Sequence, residues 1–176
     1  MKGHVQQGEI RTARCMIDDR HTFLERLKSI SREYSTNIIC FNADMLAGRV
    51  HAELAVRLAR RSWMGECAIA NTFEMEALLY AAGSRQCNVA SRFGINDGEN
   101  HLFICCNPGG NERVWAALSP FLEYVDTERF EITDQNKRER LIDLFSITPL
   151  ELGSLDTGTT ITDLILERVA LLQVLR

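Results

Sequence analysis

The chain has 176 residues, 45% hydrophobic and 25% charged, with a formal net charge of −4 and a pI near 5.6. These values fit one globular domain with a real core. They argue against a general nucleic-acid coat protein but leave room for a local cationic patch, since screened charges act over about 10 Å. No run approaches the ~18 apolar residues of a membrane span, and the start MKGHVQQGEIRTARC has no apolar signal core. A cytoplasmic protein without membrane contact is expected.

EIRTARCMI (9–17) reads as a first strand, followed by a helix over 21–34 with Phe23, Leu24, Leu27 and Ile30 on one stripe. TNIICFNAD (36–44) reads as a buried strand. A helix over 47–64 follows, with Val50, Leu54 and Leu58 inward and His51 at the surface or rim. In AIANTFEMEALLYAAGSRQ (68–86), Asn71 is the expected N-cap and Glu74 the residue that reaches back to it. Met75, Leu78, Leu79 and Ala82 form the stripe, and Gly83 ends the helix. NVASRFG (88–94) adds a short helix, HLFICCN (101–107) a strand, and Asn111 caps a helix that turns Val114 and Leu118 inward.

RFEIT (129–133) reads as a further strand, DQNKRERLIDLF as a helix and GSLDTGTT as a loop. A final amphipathic helix capped by Thr162 is expected to run to residue 176. No repeat, low-complexity segment or dividing linker occurs. The expected fold is therefore a single α/β (α+β) domain over 1–176, with a mixed or antiparallel sheet of about four strands.

Chemistry-bearing residues are sparse. The histidines His4, His21, His51 and His101 lie in no catalytic motif, and no nucleotide-binding glycine pattern occurs. The six cysteines include no C-x-x-C pair, so neither a metal nor a cofactor is expected. Cys105 and Cys106, adjacent in a strand, should face opposite ways. The thiols read as buried and reduced. A nucleophilic cysteine, Cys87 or Cys106 paired with His101, stays open as an alternative. Pro108-Gly109-Gly110, before a helix start, reads as a turn that can also expose amides to an anion.

Charge says more. Arg57, Arg60 and Arg61 at i, i+3 and i+4 share a helical face, with Arg49 near its edge. They can grip phosphate bidentately, or simply cover apolar surface with their stems. The last helix is apolar around most of its circumference, through Ile161, Leu164, Ile165, Val169, Leu172 and Leu175 on one stripe and Leu166, Ala170, Leu171 and Val174 beside it. Burial on two sides and contact with a partner both explain this.

ANTFEMEALLYAAGSRQ, then FGINDG and HLFICC, resembles the kinase-binding small-subunit family of the KEOPS complex. Its pattern A-N-[ST]-F-x-M-E-x-L is met by Ala70, Asn71, Thr72, Phe73, Met75, Glu76 and Leu78, with Gly83 and Gln86 beyond. Thr72 stands where serine is commoner. FNADMLAG (41–48) and ILERVALLQV are similar to further parts of the family. The likeness runs over 37–107 and again over 163–175; residues 1–20 and 120–160 match nothing specific.

The resemblance implies a non-enzymatic adaptor in the complex that installs threonylcarbamoyl-adenosine on tRNA. Such an adaptor binds the small atypical kinase/ATPase subunit and helps recruit tRNA through its single-stranded 3′ CCA end. On that basis Arg57, Arg60, Arg61 and Arg85 would hold phosphates, Asn71 and Thr72 would bond bases or sugars, and Phe73 and Met75 would offer apolar surface. The kinase would dock on Leu164, Ile165, Arg168, Leu171, Leu172 and Leu175. A scaffold that activates the kinase without touching RNA is the competing expectation.

Overall fold

A computed structural model describes residues 8–132, 134–156 and 158–174. Strand β1 (Glu9–Ile17) leads through helix α1 (Arg20–Glu33) into β2 (Asn37–Asn42). A helical stretch then holds α2 (Arg49–Met64), α3 (Phe73–Ala82) and α4 (Cys87–Ala90) before β3 (Gly98–Asn107) returns to the sheet. Beyond it lie α5 (Glu112–Leu118), β4 (Glu123–Tyr124), α6 (Gln135–Leu144), α7 (Pro149–Gly153) and α8 (Ile161–Leu171). The sheet is antiparallel throughout, in the order β2-β3-β1-β4. Because β1 and β2 both run against β3, they are parallel to each other, and α1 is the crossover that carries the chain from one to the other across the place β3 fills. The fold is α+β.

Both faces of the sheet are covered, which explains why NIICFN and LFICC read as continuous apolar runs instead of alternating ones. Ile39, Phe41, Phe103 and Cys105 face the core shared with α2, α3, α6 and α8. Ile38, Cys40, Leu102, Ile104 and Cys106 face the core under α1 and α5. Cys105 and Cys106 point apart, as a period of two demands. Among the described residues no helix is long and apolar enough to cross a membrane.

Several expectations shift. Residues 129–132 form no strand: a 3-10 turn at Thr127–Phe130 drops Phe130 into the core, and the fourth strand is the short β4 upstream. α7 was not expected, although Thr148, Pro149 and Glu151 spell its capping box in the sequence. α8 is capped by Thr160 with Asp163, two residues before the expected Thr162, and ends at Leu171. The Pro108-Gly109-Gly110 turn meets an anion of the protein's own, for Gly110 N–H donates to Glu9 Oε2 at 3.2 Å.

The start of α2 depends on a distant residue. Gly48 precedes the helix at φ +78° and brings no capping side chain. Instead Glu131 Oε1 accepts the Arg49 N–H at 3.1 Å, a carboxylate at the positive end of the helix dipole. A Cβ on Gly48 would stand 1.8 Å from Glu131 Oε2, so glycine is required both by the backbone and by this carboxylate.

Candidate functional site

The α2–α3 hairpin carries the sequence motif, and its connecting segment is held by two side chains. Thr72, not Asn71, is the N-cap: its hydroxyl accepts the Met75 N–H at 3.2 Å. Both residues are competent caps. Starting the helix at Phe73 buries that ring, which decides between them. Glu74 does not reach back; its carboxylate accepts from Asn37 Nδ2 at 3.0 Å. The inward residue is Glu76, 0% exposed, whose Oε2 accepts the Ile69 and Ala70 N–H groups at 2.8 and 2.7 Å. Asn71 and Thr72 are thereby presented to solvent.

The sequence places four arginines in one grip, and the structure divides them. Arg57 and Arg61 are exposed one turn apart on α2, and neither enters an ion pair among the described residues. Arg60 is half-buried and turns to the end of β3, where its guanidinium donates to Asn107 Oδ1. Arg49 is paired with Glu53 at 2.8 Å. Arg85 lies at the far end of the hairpin. His51 Nε2 bonds Ala81 O, so α2 and α3 run antiparallel, and residue 61 is ten residues, about 15 Å, from that contact.

Phe73 does not offer a stacking face. It is 5% exposed and belongs to the core. The aromatic group at this end is Trp63, which the apolar-stripe reading passed over. Its ring packs edge-on against Phe73, centroids 6.0 Å apart, and remains 40% exposed. Met64, 72% exposed, lies on the helix between that indole and Arg57 and Arg61. The signal was present in RRSWM, an aromatic directly after the basic run. Thr72 and Met75 also line a groove of about 760 Å³ between α1, α3 and β2.

The expected docking face on α8 is mostly core. Ile165 and Leu172 are buried against α2 and α3, and Leu164 is half-buried on the same core. Arg168 is a structural pin, donating to Phe145 O and to Glu151 Oε1, each at 2.7 Å. The Thr148 backbone N–H, and after it Arg168, hold the Glu151 carboxyl down to about 2. Leu175 lies outside the described residues. What α8 leaves open is Leu171 at 48% and, just beyond it, Val174 at 74% exposure.

The buried polar groups serve structure. His51, expected at the rim, is 0% exposed because the inward stripe of α2 is rotated by one residue, leaving Val50 outside. Its Nδ1 accepts from Ala47 N at 3.1 Å and its Nε2 faces Ala81 O at 2.9 Å. Burial pushes its pKa down to about 4. Lys137 is buried with its ammonium on Phe130 O, and burial lowers it to about 8. Cys67 and Cys87 are exposed, against expectation, while Cys15, Cys40, Cys105 and Cys106 are buried.

Cys106 cannot pair with His101. They stand on opposite faces of β3, five residues apart, and burial raises the Cys106 thiol to about 12. Instead His101 stacks on Phe130 at 5.1 Å beside Asp44. Among the described residues no group of three or more His, Cys, Asp or Glu is placed to hold a metal ion. Comparison with protein-family models and with curated proteins gives no match.

Proposed function

We propose that this chain is a cytoplasmic, non-catalytic adaptor of the KEOPS type, which binds the small atypical kinase/ATPase and helps recruit tRNA through its 3′ CCA end. The observation that carries the RNA half is the end of the α2–α3 hairpin. There an exposed indole, Trp63, shares the last two turns of α2 with the exposed Arg57 and Arg61, about 120–160° round the helix from them, and the exposed polar pair Asn71 and Thr72 comes just before α3. Single-stranded RNA is held by base stacking on aromatic rings and by cations on its backbone, with about 1–3 kcal/mol per stacked base. Trp63 takes the stacking role, Arg57 and Arg61 the phosphates, and Asn71 and Thr72 the sugar or base edges.

Gel-shift titration of the intact chain with tRNA tests this. Trp63→Ala is expected to weaken binding about tenfold, as loss of one stacked base requires. Arg57→Glu with Arg61→Glu should weaken it further and flatten the salt dependence, because two phosphate contacts disappear. Removal of CCA from the tRNA should cost the unmodified protein a similar amount. Unchanged affinity of both variants at low salt would defeat the assignment.

The kinase half rests on Leu171 and Val174, left open where the other large apolar side chains of α8 are buried or half-buried. Leu171→Arg is expected to abolish co-purification with the kinase while the protein stays folded, since the side chain is outside the core. A folded Leu171→Arg protein that retains the kinase removes this surface from consideration. Kinase binding without any tRNA shift would leave the protein-only scaffold in its place.

A further inference from the structure

The geometry points to a second docking site, in which an extended acidic segment of a partner protein adds as a strand to the outer edge of β2. β2 is the edge of the sheet, and among the described residues its backbone groups from Ile38 to Phe41 find partners only on β3. The alternate N–H and C=O groups that turn away from β3 border the groove of about 760 Å³, whose floor includes the consecutive residues Thr36–Cys40; Ile38 and Cys40 keep 4% and 8% of their surface exposed there. Five residues of strand span about 16 Å, enough to pair a four- or five-residue segment. α1 contributes Leu24 and Leu27 to one wall, and α3 contributes Met75 and Leu78 to the other. Side chains of an added strand would alternate between these apolar walls.

Proteins ordinarily blunt such an edge with lysine, proline, a bulge or extreme shortness. At the opposite edge β4 is only two residues long. β2, by contrast, reads NIICFN, six residues with no charge and no proline. An unguarded edge set between two apolar walls suits strand addition better than it suits solvent. The lip of the groove selects the partner's charge. Arg20, Lys28 and Arg32 line it from α1, Lys28 being paired with Glu25 at 2.8 Å, against one lining carboxylate, Glu74, which accepts a hydrogen bond from Asn37. On a chain of net charge −4 this is a local cationic border, complementary to Asp and Glu flanking a short apolar stretch. No aromatic side chain is among the residues lining the groove, so it has no platform for stacked bases and favours protein over RNA. The site shares Thr72 with the proposed RNA surface but none of Trp63, Arg57 and Arg61, and it does not rest on the adaptor function.

The probe is a fluorescent peptide of four alternating Val and Ile residues flanked on each side by two Glu, titrated into the full-length chain. Tight binding is expected, at least tenfold stronger than that of the same peptide with Lys flanks or with alternate backbone amides N-methylated. Hydrogen exchange of the amides between Ile38 and Cys40 should slow in its presence. Lys28→Glu with Arg32→Glu, both on the exposed side of α1, should reverse the preference to the Lys-flanked peptide. Failure to bind, equal binding of the N-methylated peptide, or protection of these amides by an RNA oligonucleotide ending in CCA in place of the peptide would overturn the proposal.

Discussion

Glu76→Ala is expected to cost about 3 kcal/mol of stability, because it removes the one acceptor that two inward-facing backbone N–H groups share. Ile69 and Ala70 would keep their amides turned toward a site that water reaches poorly, with nothing to accept them. The other carboxylate oxygen, Oε1, is buried without a hydrogen-bond partner. Glu76→Gln should therefore be milder, about 1–2 kcal/mol, since its carbonyl can still accept both N–H groups while its amide donors go unsatisfied. Urea unfolding gives the two costs, and amide exchange at Ile69 and Ala70 reports whether the segment has come loose. A Glu76→Ala protein less than 1 kcal/mol below the parent would show that something else holds this connection.

Acidification supplies the second large effect. His51 accepts the Ala47 N–H at Nδ1, so its own proton resides on Nε2 and is donated to Ala81 O. A second proton has no room beside the Ala47 N–H, and burial holds the folded-state pKa at about 4 against an ordinary 6.5. Below pH 6.5 the unfolded chain takes up a proton that the folded chain refuses, so stability falls as the pH drops from 6.5 to 4. The full loss is roughly 3 kcal/mol, from the size of the shift at 1.36 kcal/mol per unit. Denaturant melts at pH 7, 5.5 and 4.5 should show it, and His51→Gln should remove this part of the slope although it lowers stability overall. A parent protein whose stability is flat over that window would contradict a neutral, enclosed ring.

Both side chains show where sequence patterns lose resolution. The strand over 9–17 and the bodies of the helices were legible because each presents a long apolar repeat to a large core. A helical stripe can nevertheless rotate by one residue, 100°, without leaving its pattern, and that single step exchanged the fates of Val50 and His51. Adjacent caps are equally ambiguous. Asn71 and Thr72 satisfy the same local rule, and only the burial of Phe73 and the inward turn of Glu76 choose between them. The strand expected at 129–133 is absent over the described residues 129–132 because its alternation was set by separate tasks. Phe130 fills the core and Glu131 serves α2.

The candidate site was legible as composition and not as arrangement. Arg57, Arg60 and Arg61 share one helical arc, but Asn107, which turns Arg60 away, comes from a strand 47 positions on. Phe73, Ile165 and Leu172 are apolar in ways that suit a core and an interface alike, and tertiary packing assigned all three to the core. Trp63 was hidden for another reason: it lies off the stripe of Val50, Leu54 and Leu58, and its spacing alone does not tell whether it is exposed.

The carboxylate seated over Gly48 bears on how the polypeptide is finished during synthesis. Its partner N–H belongs to Arg49, 82 positions earlier in the chain. When the ribosome has delivered the first half of the molecule, the opening turn of α2 has no anion at its exposed amides, and the strand that must slot between β1 and β2 has not yet emerged. Contacts of such long reach form late and slowly. The first turn of α2 thus gains its anion only once residue 131 has been made.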